Sequence, residues 1–173
     1  EVTIDLFEAI NQRFYQSSSI DKFITMIYGE IESNGDFRFI SAGHPSPLIF
    51  SNEFNQIVNI DNLNLINFPP IGTLPSESDI DSKVIKSLLG HKKRYAVNSL
   101  SVMGKGDILR LFTDGFTDQR NGELNYTSIR LEKKLKLVKH LSSKEIFQSI
   151  KEDFKNFCNP PDDDATMIII KNV

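Results

Sequence analysis

The sequence has 173 residues, of which 39% are hydrophobic and 25% charged, and its formal net charge is -3. This length and composition predict a single globular domain over residues 1–173. The mild acidity gives no basic footprint for nucleic acid, and no apolar run reaches the roughly 20 residues that cross a bilayer, so we expect no membrane contact from this segment. The single cysteine, Cys158, excludes an internal disulfide and indicates a reducing, cytoplasmic setting.

The first predicted element is an amphipathic helix over residues 4–16, because apolar residues recur at helical spacing from Ile4 to Phe14. The run FITMIYGEIE follows, and because it is apolar on both faces it predicts a central strand. Asn34 and Gly35 then predict a two-residue hairpin turn into FRFISA, since both residues tolerate positive φ.

The middle of the sequence predicts further strands and one short helix. PLIFS and QIVNI predict a second hairpin around residues 52–55, and the strands up to this point predict an antiparallel meander. NFPPIGTLP predicts a loop with little regular structure. Apolar spacing between Ile80 and Leu89 predicts a short helix closed by Gly90, after which YAVNSLSV returns to strand.

The second half alternates between strand and helix patterns. GKGD turns the chain into a strand at residues 108–113, and ATMIIIKNV predicts the final strand. Two helices lie between them, one over residues 128–139 and one that begins with a capping box of Ser142 and Glu145 and stops before Pro160. Together the elements predict an α+β class, with an antiparallel sheet packed against helices.

Acidic residues follow one predicted strand and precede another. Asp114 comes directly after residues 108–113, and residues 162–164, all Asp, come shortly before the last strand. If these two strands pair in antiparallel fashion, the acids converge at one edge of the sheet. Clustered carboxylates repel one another unless a cation neutralises them, so such an edge favours a hard divalent cation. The alternative stays open for each acid, since Asp-Gly after a strand and acids after Pro-Pro are common in turns and loops.

The other candidate groups offer weaker chemistry. His44, in AGHPSP, is a turn histidine with no nearby nucleophile to activate. GKGD lacks the rest of the P-loop signature, and Cys158 has no motif-linked histidine. The residues therefore favour metal-assisted hydrolysis, without a side-chain nucleophile.

Three stretches of the sequence resemble, in order and approximate spacing, the metal-dependent protein serine/threonine phosphatases (the PPM family), and in particular their bacterial SpoIIE and Rsb branch. These stretches are FITMIYGEIESNGDFRFISAGHPSPLIF, GKGDILRLFTDGFTD and DDDATMIII. The AGHPSP turn, with Gly43 and His44, is similar to a motif of the bacterial branch, and TDG and DDAT are similar to the second-half metal motifs of the family. The resemblance implies an α-β-β-α sandwich with a site for two Mn²⁺ or Mg²⁺ ions, where a metal-bound water attacks phosphoserine or phosphothreonine.

The resemblance also implies a role for each residue of the motifs. Asp114 and Asp163 are implied to be metal ligands, and Gly115 is implied to be a position of close approach. Asp164 is implied to be an orienting or auxiliary acid. Asp118 is implied either to touch an additional, weakly bound metal ion or to face water.

The sequence departs from the family pattern in its first half, which lacks the expected Gly-Asp pair; Gly35 and Asp36 lie in a predicted hairpin and do not match it. One expectation is therefore a C-terminal portion of the phosphatase domain without its N-terminal strands. It would act on a phosphorylated regulatory protein only as part of a longer protein, and could self-associate through an uncovered sheet edge. The other expectation is a non-catalytic interaction module that binds a signalling partner such as a sigma-factor regulator.

Overall fold

The computed structural model describes residues 3–17, 23–60, 63, 65–77, 90–101, 104–158 and 160–173. The chain divides into two compact units, Glu1–His44 with Leu63–Leu100 and Pro45–Asn62 with Ser101–Val173. The predicted α+β class is confirmed, while the predicted single domain over residues 1–173 stays a prediction. In chain order, the elements are α1 (Ile4–Ser17), β1 (Met26–Ile31), β2 (Asp36–Ala42), β3 (Leu48–Ser51), β4 (Gln56–Ile57), β5 (Asn67–Phe68), β6 (Asn98–Ser101), β7 (Ile108–Phe112), α2 (Asp114–Thr117), β8 (Arg120–Asn121), β9 (Leu124–Asn125), a π-helix (Thr127–Leu131), α3 (Glu132–Val138), α4 (Ser143–Phe157) and β10 (Met167–Lys171).

The first unit contains α1 and a four-stranded sheet. β2 pairs with β1 in antiparallel fashion, with β5 in parallel fashion, and also with β6. The apolar stripe predicted for the first helix is confirmed, because Phe7 is fully buried and its ring lies 5.2 Å from that of Tyr95. The core of this unit is a cluster of Phe7, Ile40, Ala42, Phe68, Ile71 and Tyr95.

Two predictions for the first unit are wrong. β1 is not a central strand, since within the described residues it pairs only with β2, and Tyr28 and Ile31 are each 40% exposed. The hairpin that follows has a three-residue loop rather than a two-residue turn, because the Glu32 amide donates to the Asp36 carbonyl at 2.8 Å. Only Gly35 in this loop has positive φ, 90°. One residue in the left-handed region is typical of a three-residue hairpin loop, whereas the type I′ turn of a two-residue loop needs two.

The second unit contains a four-stranded antiparallel sheet in the order β10-β7-β3-β4. The predicted hairpin of β3 and β4 is confirmed. The antiparallel meander is wrong, because β2 and β3 belong to different sheets and β2 pairs in parallel with β5. Apolar strand residues pack against the π-helix, α3 and α4 in a cluster whose members include Phe50, Phe112, Leu131, Leu135, Val138, Ile146, Ile150, Phe154, Phe157 and Met167.

The helices of the second unit mostly follow the sequence pattern. The capping box is confirmed, with the Ser142 hydroxyl accepting from the Glu145 amide at 3.4 Å and the Glu145 carboxylate accepting from the Ser142 amide at 2.9 Å. The helix predicted over residues 128–139 is present but starts as a π-helix, and α2 and the β8–β9 hairpin were not predicted. The helix predicted between Ile80 and Leu89 lies outside the described residues.

β10 forms an edge of this sheet. Thr166 accepts a backbone hydrogen bond from Thr113 at 3.1 Å, and the Asn172 amide donates to the Asp107 carbonyl at 3.0 Å. Because backbone groups alternate in direction along a strand, the N–H and C=O groups of Met167, Ile169 and Lys171 point away from β7. Within the described part of the chain, no strand pairs with that side of β10. Among these same residues, no helix has the length and apolar character to span a membrane.

Candidate metal-binding edge

The tips of β7 and β10 lie side by side, as the sequence predicted. The two strands pair in antiparallel register, with Phe112 opposite Met167. Beyond the last ladder pair, the Thr113 amide donates to the Thr166 carbonyl at 3.1 Å, and the Thr166 amide donates to Oγ1 of Thr113 at 2.9 Å. The acids that follow β7 and precede β10 therefore lie at one edge of this sheet, called here the acid edge (Asp114, Asp163 and Asp164).

Asp114 begins the single turn of α2. Its side chain is exposed, and its Oδ1 accepts a hydrogen bond from the Gly115 amide at 3.1 Å. Its carbonyl accepts from the Asp118 amide at 2.9 Å and from Oγ1 of Thr117 at 3.0 Å. Asp118 ends the turn with an exposed side chain. The backbone of Asp114 is thus fixed by helical bonds, while its carboxylate faces solvent.

Gly115 is a point of close approach between the two sides of the acid edge. It is buried, and a Cβ at this position would lie 2.4 Å from the carbonyl oxygen and 2.9 Å from the carbonyl carbon of Asp164. Both atoms belong to the backbone, so they cannot move away unless the whole loop shifts. The spacing between the two loops therefore requires a residue without a side chain.

Asp163 and Asp164 occupy the other side of the acid edge with exposed side chains. Oδ1 of Asp163 accepts from the Asp164 amide at 2.7 Å, and the Asp164 carbonyl accepts from Oγ1 of Thr113 at 3.4 Å. Each of the two candidate ligands, Asp114 and Asp163, thus uses one carboxylate oxygen for a local backbone bond. The second oxygen of each forms no hydrogen bond within the described residues.

Gln119 holds the second acidic loop, and the sequence reasoning missed it. Its side chain is 3% exposed and bonds Asp162 twice: its amide nitrogen donates to Oδ2 at 2.9 Å, and its Oε1 accepts from the Asp162 amide at 2.9 Å. The same nitrogen donates to the Arg120 carbonyl at 3.1 Å. Nothing in the sequence around Gln119 indicates that its side chain bonds Asp162, which lies 43 residues further along the chain. Its effect is to commit Asp162 to a structural role.

Arg110 is a buried cation under the acid edge that the sequence reasoning also missed. It is 0% exposed, and none of its three guanidinium nitrogens has a hydrogen-bond partner among the described residues. The guanidinium carbon lies 4.4 Å from the ring centroids of both Phe112 and Phe116. Burial lowers the pKa of Arg110 to about 10. Arg110 therefore connects β7 to α2 through aromatic contacts alone.

Gly43 and His44 belong to the first unit, whereas the acids belong to the second. Gly43 has a φ of 64°, and its amide donates to the Phe68 carbonyl at 2.7 Å. The His44 carbonyl accepts from Oγ of Ser41 and from the side-chain nitrogen of Asn67, both at 3.2 Å. These bonds shape the AGHPSP turn, and they give the backbone of His44 a structural role.

The acid edge fits a hard divalent cation in the type of its donors. Carboxylate oxygens are the ligands that Mg²⁺ and Mn²⁺ prefer, and both candidate ligands keep an oxygen available. In number the donors are few, since no group of three or more His, Cys, Asp or Glu side chains within the described ranges could hold a metal ion. The residues present thus fit a contribution of two ligands to a metal site.

Comparisons with known proteins identify a family for the chain. The model of the family described as Stage II sporulation protein E (SpoIIE) matches residues 3–172. A comparison with curated protein sequences gives no match.

Several solved structures share the fold. The RsbU and RsbW domains of a Mycobacterium tuberculosis protein align with a TM-score of 0.64 and 18% identity over 99% of this chain and 42% of that one. The phosphatase domain of the cell fate determinant SpoIIE from Bacillus subtilis, from a crystal presoaked with Mn, aligns with a TM-score of 0.60 and 15% identity over 99% of this chain and 74% of that one. A structure of its PP2C phosphatase domain with a fragment of the regulatory domain gives 0.51 and 18% over 80% and 35%. At these identities the likeness establishes the fold.

Proposed function

Because the chain belongs to the SpoIIE family, we propose that it contributes to the metal-dependent hydrolysis of phosphoserine or phosphothreonine on a regulatory protein. One observation carries the proposal: the pairing of β7 with β10 brings Asp114 and Asp163 to one edge of the sheet. The fold is that of the SpoIIE phosphatase domain, which adds support.

In this proposal Asp114 and Asp163 hold the metal, and Mn²⁺ or Mg²⁺ suits their oxygen donors. When bound, such cations lower the pKa of water and neutralise charge on phosphoryl oxygens. Gly115 allows the two ligand loops to approach, and Asp164 acts as an orienting or auxiliary acid. Asp118, the exposed residue at the C-terminal end of α2, contacts either a further, weakly bound ion or only water.

The loops are held in place by bonds that do not need a metal. Gln119 fixes Asp162, and the helical bonds of α2 fix Asp114. Since a preorganised site spends less binding energy on ordering its ligands, these bonds favour metal binding at the acid edge. With only two carboxylates, residues 1–173 by themselves are expected to bind Mn²⁺ weakly and to hydrolyse little or no substrate.

The test is hydrolysis of a phosphoserine peptide and of p-nitrophenyl phosphate by the full-length gene product, with and without Mn²⁺. We expect Asp114→Asn and Asp163→Asn each to lower kcat/KM at least about 100-fold, as loss of a metal-polarising group does. Glu123→Gln, an exposed acid of the same unit, is the matched control and should retain activity. Unchanged activity in either Asp variant would remove that residue from the site.

A second candidate function is a non-catalytic module that binds a signalling partner. It is favoured by the small number of metal donors in the described residues. Partner capture distinguishes the two candidates. A binding module would capture its partner equally well in Mn²⁺ and in a chelator, and Asp114→Asn would not change that capture.

Two further expectations belong to this proposal. The protein acts in the cytoplasm, in keeping with a single cysteine, Cys158, that is buried and free. The chain also self-associates through the outward backbone groups of β10, because an unpaired strand edge offers hydrogen-bonding groups to a second strand.

A further inference from the structure

A groove borders the acid edge, between α4 and the loop that leads into β10. Its volume is about 360 Å³, within the range of ligand-sized sites. Its floor is aromatic and apolar: Phe116, Phe154 and Met167 are buried members of the core cluster, and the Phe116 and Phe154 ring centroids lie 4.2 Å apart. Phe147 is half-buried and forms part of the wall. A fixed apolar floor open to solvent favours an apolar side chain from outside.

Two lysines lie on the rim of the same groove. Lys151 and Lys155 are exposed and one helical turn apart on α4. Neither forms an ion pair within the described part of the chain, although Asp163 and Asp164 also line the groove. The groove therefore has carboxylates toward the acid edge and two available cations along α4.

From this combination we propose that the groove binds the peptide segment adjoining the phosphorylated residue of a protein substrate. An apolar side chain of that segment packs on the aromatic floor, and an acidic side chain contacts Lys151 and Lys155. The proposal rests on the proposed function, because the groove opens beside the acid edge, where the phosphate would react.

Charge complementarity selects this occupant. The β10 edge of a second copy, whose charged residue is Lys171, would bring no negative charge to the two lysine ammonium groups on the rim and would add a positive one. A segment carrying a carboxylate next to an apolar residue satisfies the floor and the rim together. The groove thus adds a sequence preference that the acid edge, which contacts only phosphate and cation, does not supply.

The test is fluorescence anisotropy of the 173-residue chain with fluorescein-labelled peptides in saturating Mn²⁺. The reference peptide carries phosphoserine, and on each side of the phosphoserine it has one leucine and one aspartate. One companion peptide has serine in place of leucine, and another has lysine in place of aspartate. The protein variants are K151E/K155E and, as a control with the same charge change at exposed positions off the groove, K133E/K144E.

We expect K151E/K155E to weaken binding of the reference peptide by roughly tenfold or more, because each exposed ion pair is worth up to about fivefold and reversal adds repulsion. The control variant and the unaltered chain should bind alike, and both companion peptides should bind more weakly. Equal binding by the two double variants, no preference for leucine, or no binding by the unaltered chain overturns the groove proposal.

Hydrolysis of p-nitrophenyl phosphate by the full-length gene product separates this proposal from the function on which it rests. That substrate has no peptide segment, so K151E/K155E should lose no more p-nitrophenyl phosphate hydrolysis than the charge-matched control K133E/K144E. A greater loss of p-nitrophenyl phosphate hydrolysis in K151E/K155E than in that control would overturn the groove as a peptide site. Absence of Mn²⁺-dependent hydrolysis in the unaltered protein, with peptide selectivity intact, would instead overturn the proposed function.

Discussion

Replacing Gly115 by alanine tests the close approach on which the acid edge depends. The added Cβ would lie 2.4 Å from the carbonyl oxygen of Asp164 and 3.3 Å from Cα of Ala165. Both loops must separate, and with them Asp114 and Asp163. Overpacking of this kind costs about 1–3 kcal/mol, and the better helix propensity of alanine offsets up to about 1 kcal/mol. From the middle of the overpacking range, about 2 kcal/mol, the expected net loss of stability is about 1–2 kcal/mol.

Urea unfolding followed by circular dichroism measures this loss, and calorimetry should show a melting temperature lower by about 2–4 °C for each kcal/mol. A second readout reports on geometry. In the unaltered chain, Mn²⁺ should broaden the amide signals of Asp164 and Thr166 in NMR spectra, and Gly115→Ala should weaken that broadening because the ligands move apart.

Gly122→Ala is the matched control in the same unit. Gly122 has a φ of 62°, and a Cβ added there would meet no atom of the described residues within 4 Å beyond its chain neighbours, so alanine there is strained without touching the acid edge. It should cost about 1–2 kcal/mol and leave the Mn²⁺ effect unchanged. If Gly115→Ala matched the unaltered chain in both stability and broadening, the tips of β7 and β10 would not approach each other as described.

Three further substitutions give distinct outcomes. Gln119→Leu leaves the Asp162 amide and carboxylate without their partner, so urea denaturation should show a loss of about 1–3 kcal/mol. Arg110→Met should leave calorimetric stability unchanged or raise it by up to about 4 kcal/mol, because a buried guanidinium without hydrogen bonds gives way to an apolar chain. Ile169→Pro should abolish concentration-dependent self-association in light scattering, since it removes an amide that points away from β7.

Each of these variants has its own contradicting result. Gln148→Leu, at an exposed position on α4, is the control for Gln119→Leu and should change stability by less than about 0.5 kcal/mol. If Gln119→Leu had an effect as small as this, the buried hydrogen bonds of Gln119 would contribute nothing to stability. A marked loss of stability in Arg110→Met would mean that the guanidinium has a counter-group. Oligomers that persist in Ile169→Pro, or a clean monomer in the unaltered chain, would place any self-association away from β10.

The acid edge could be predicted from the sequence because both of its sides are marked locally. Asp114 ends one apolar run, and the three acids precede another, so antiparallel pairing of the two runs was enough to bring them together. The capping box was predictable for the same reason, since Ser142 and Glu145 are three residues apart and need no distant partner.

The division of strands between two sheets could not be read in this way. β2 and β3 follow each other closely, and short connections usually join neighbouring strands, which led to the expected meander. Instead β2 pairs in parallel with β5, and β3 pairs with β7, a strand far along the chain. Apolar alternation defines which face of a strand is buried but not which strand lies beside it.

The three consecutive acids show most clearly where local reasoning ends. Residues 162–164 are chemically identical in the sequence, yet the structure gives them different tasks. Asp162 is bonded twice to the buried Gln119, whereas Asp163 keeps an oxygen available at the acid edge beside Asp164. The distinction comes from a glutamine 43 residues away. Replacement of Gln119 would therefore leave the Asp162 carboxylate without its hydrogen bond from the Gln119 side chain. Asp162 could then compete with Asp114 and Asp163 for the metal ion.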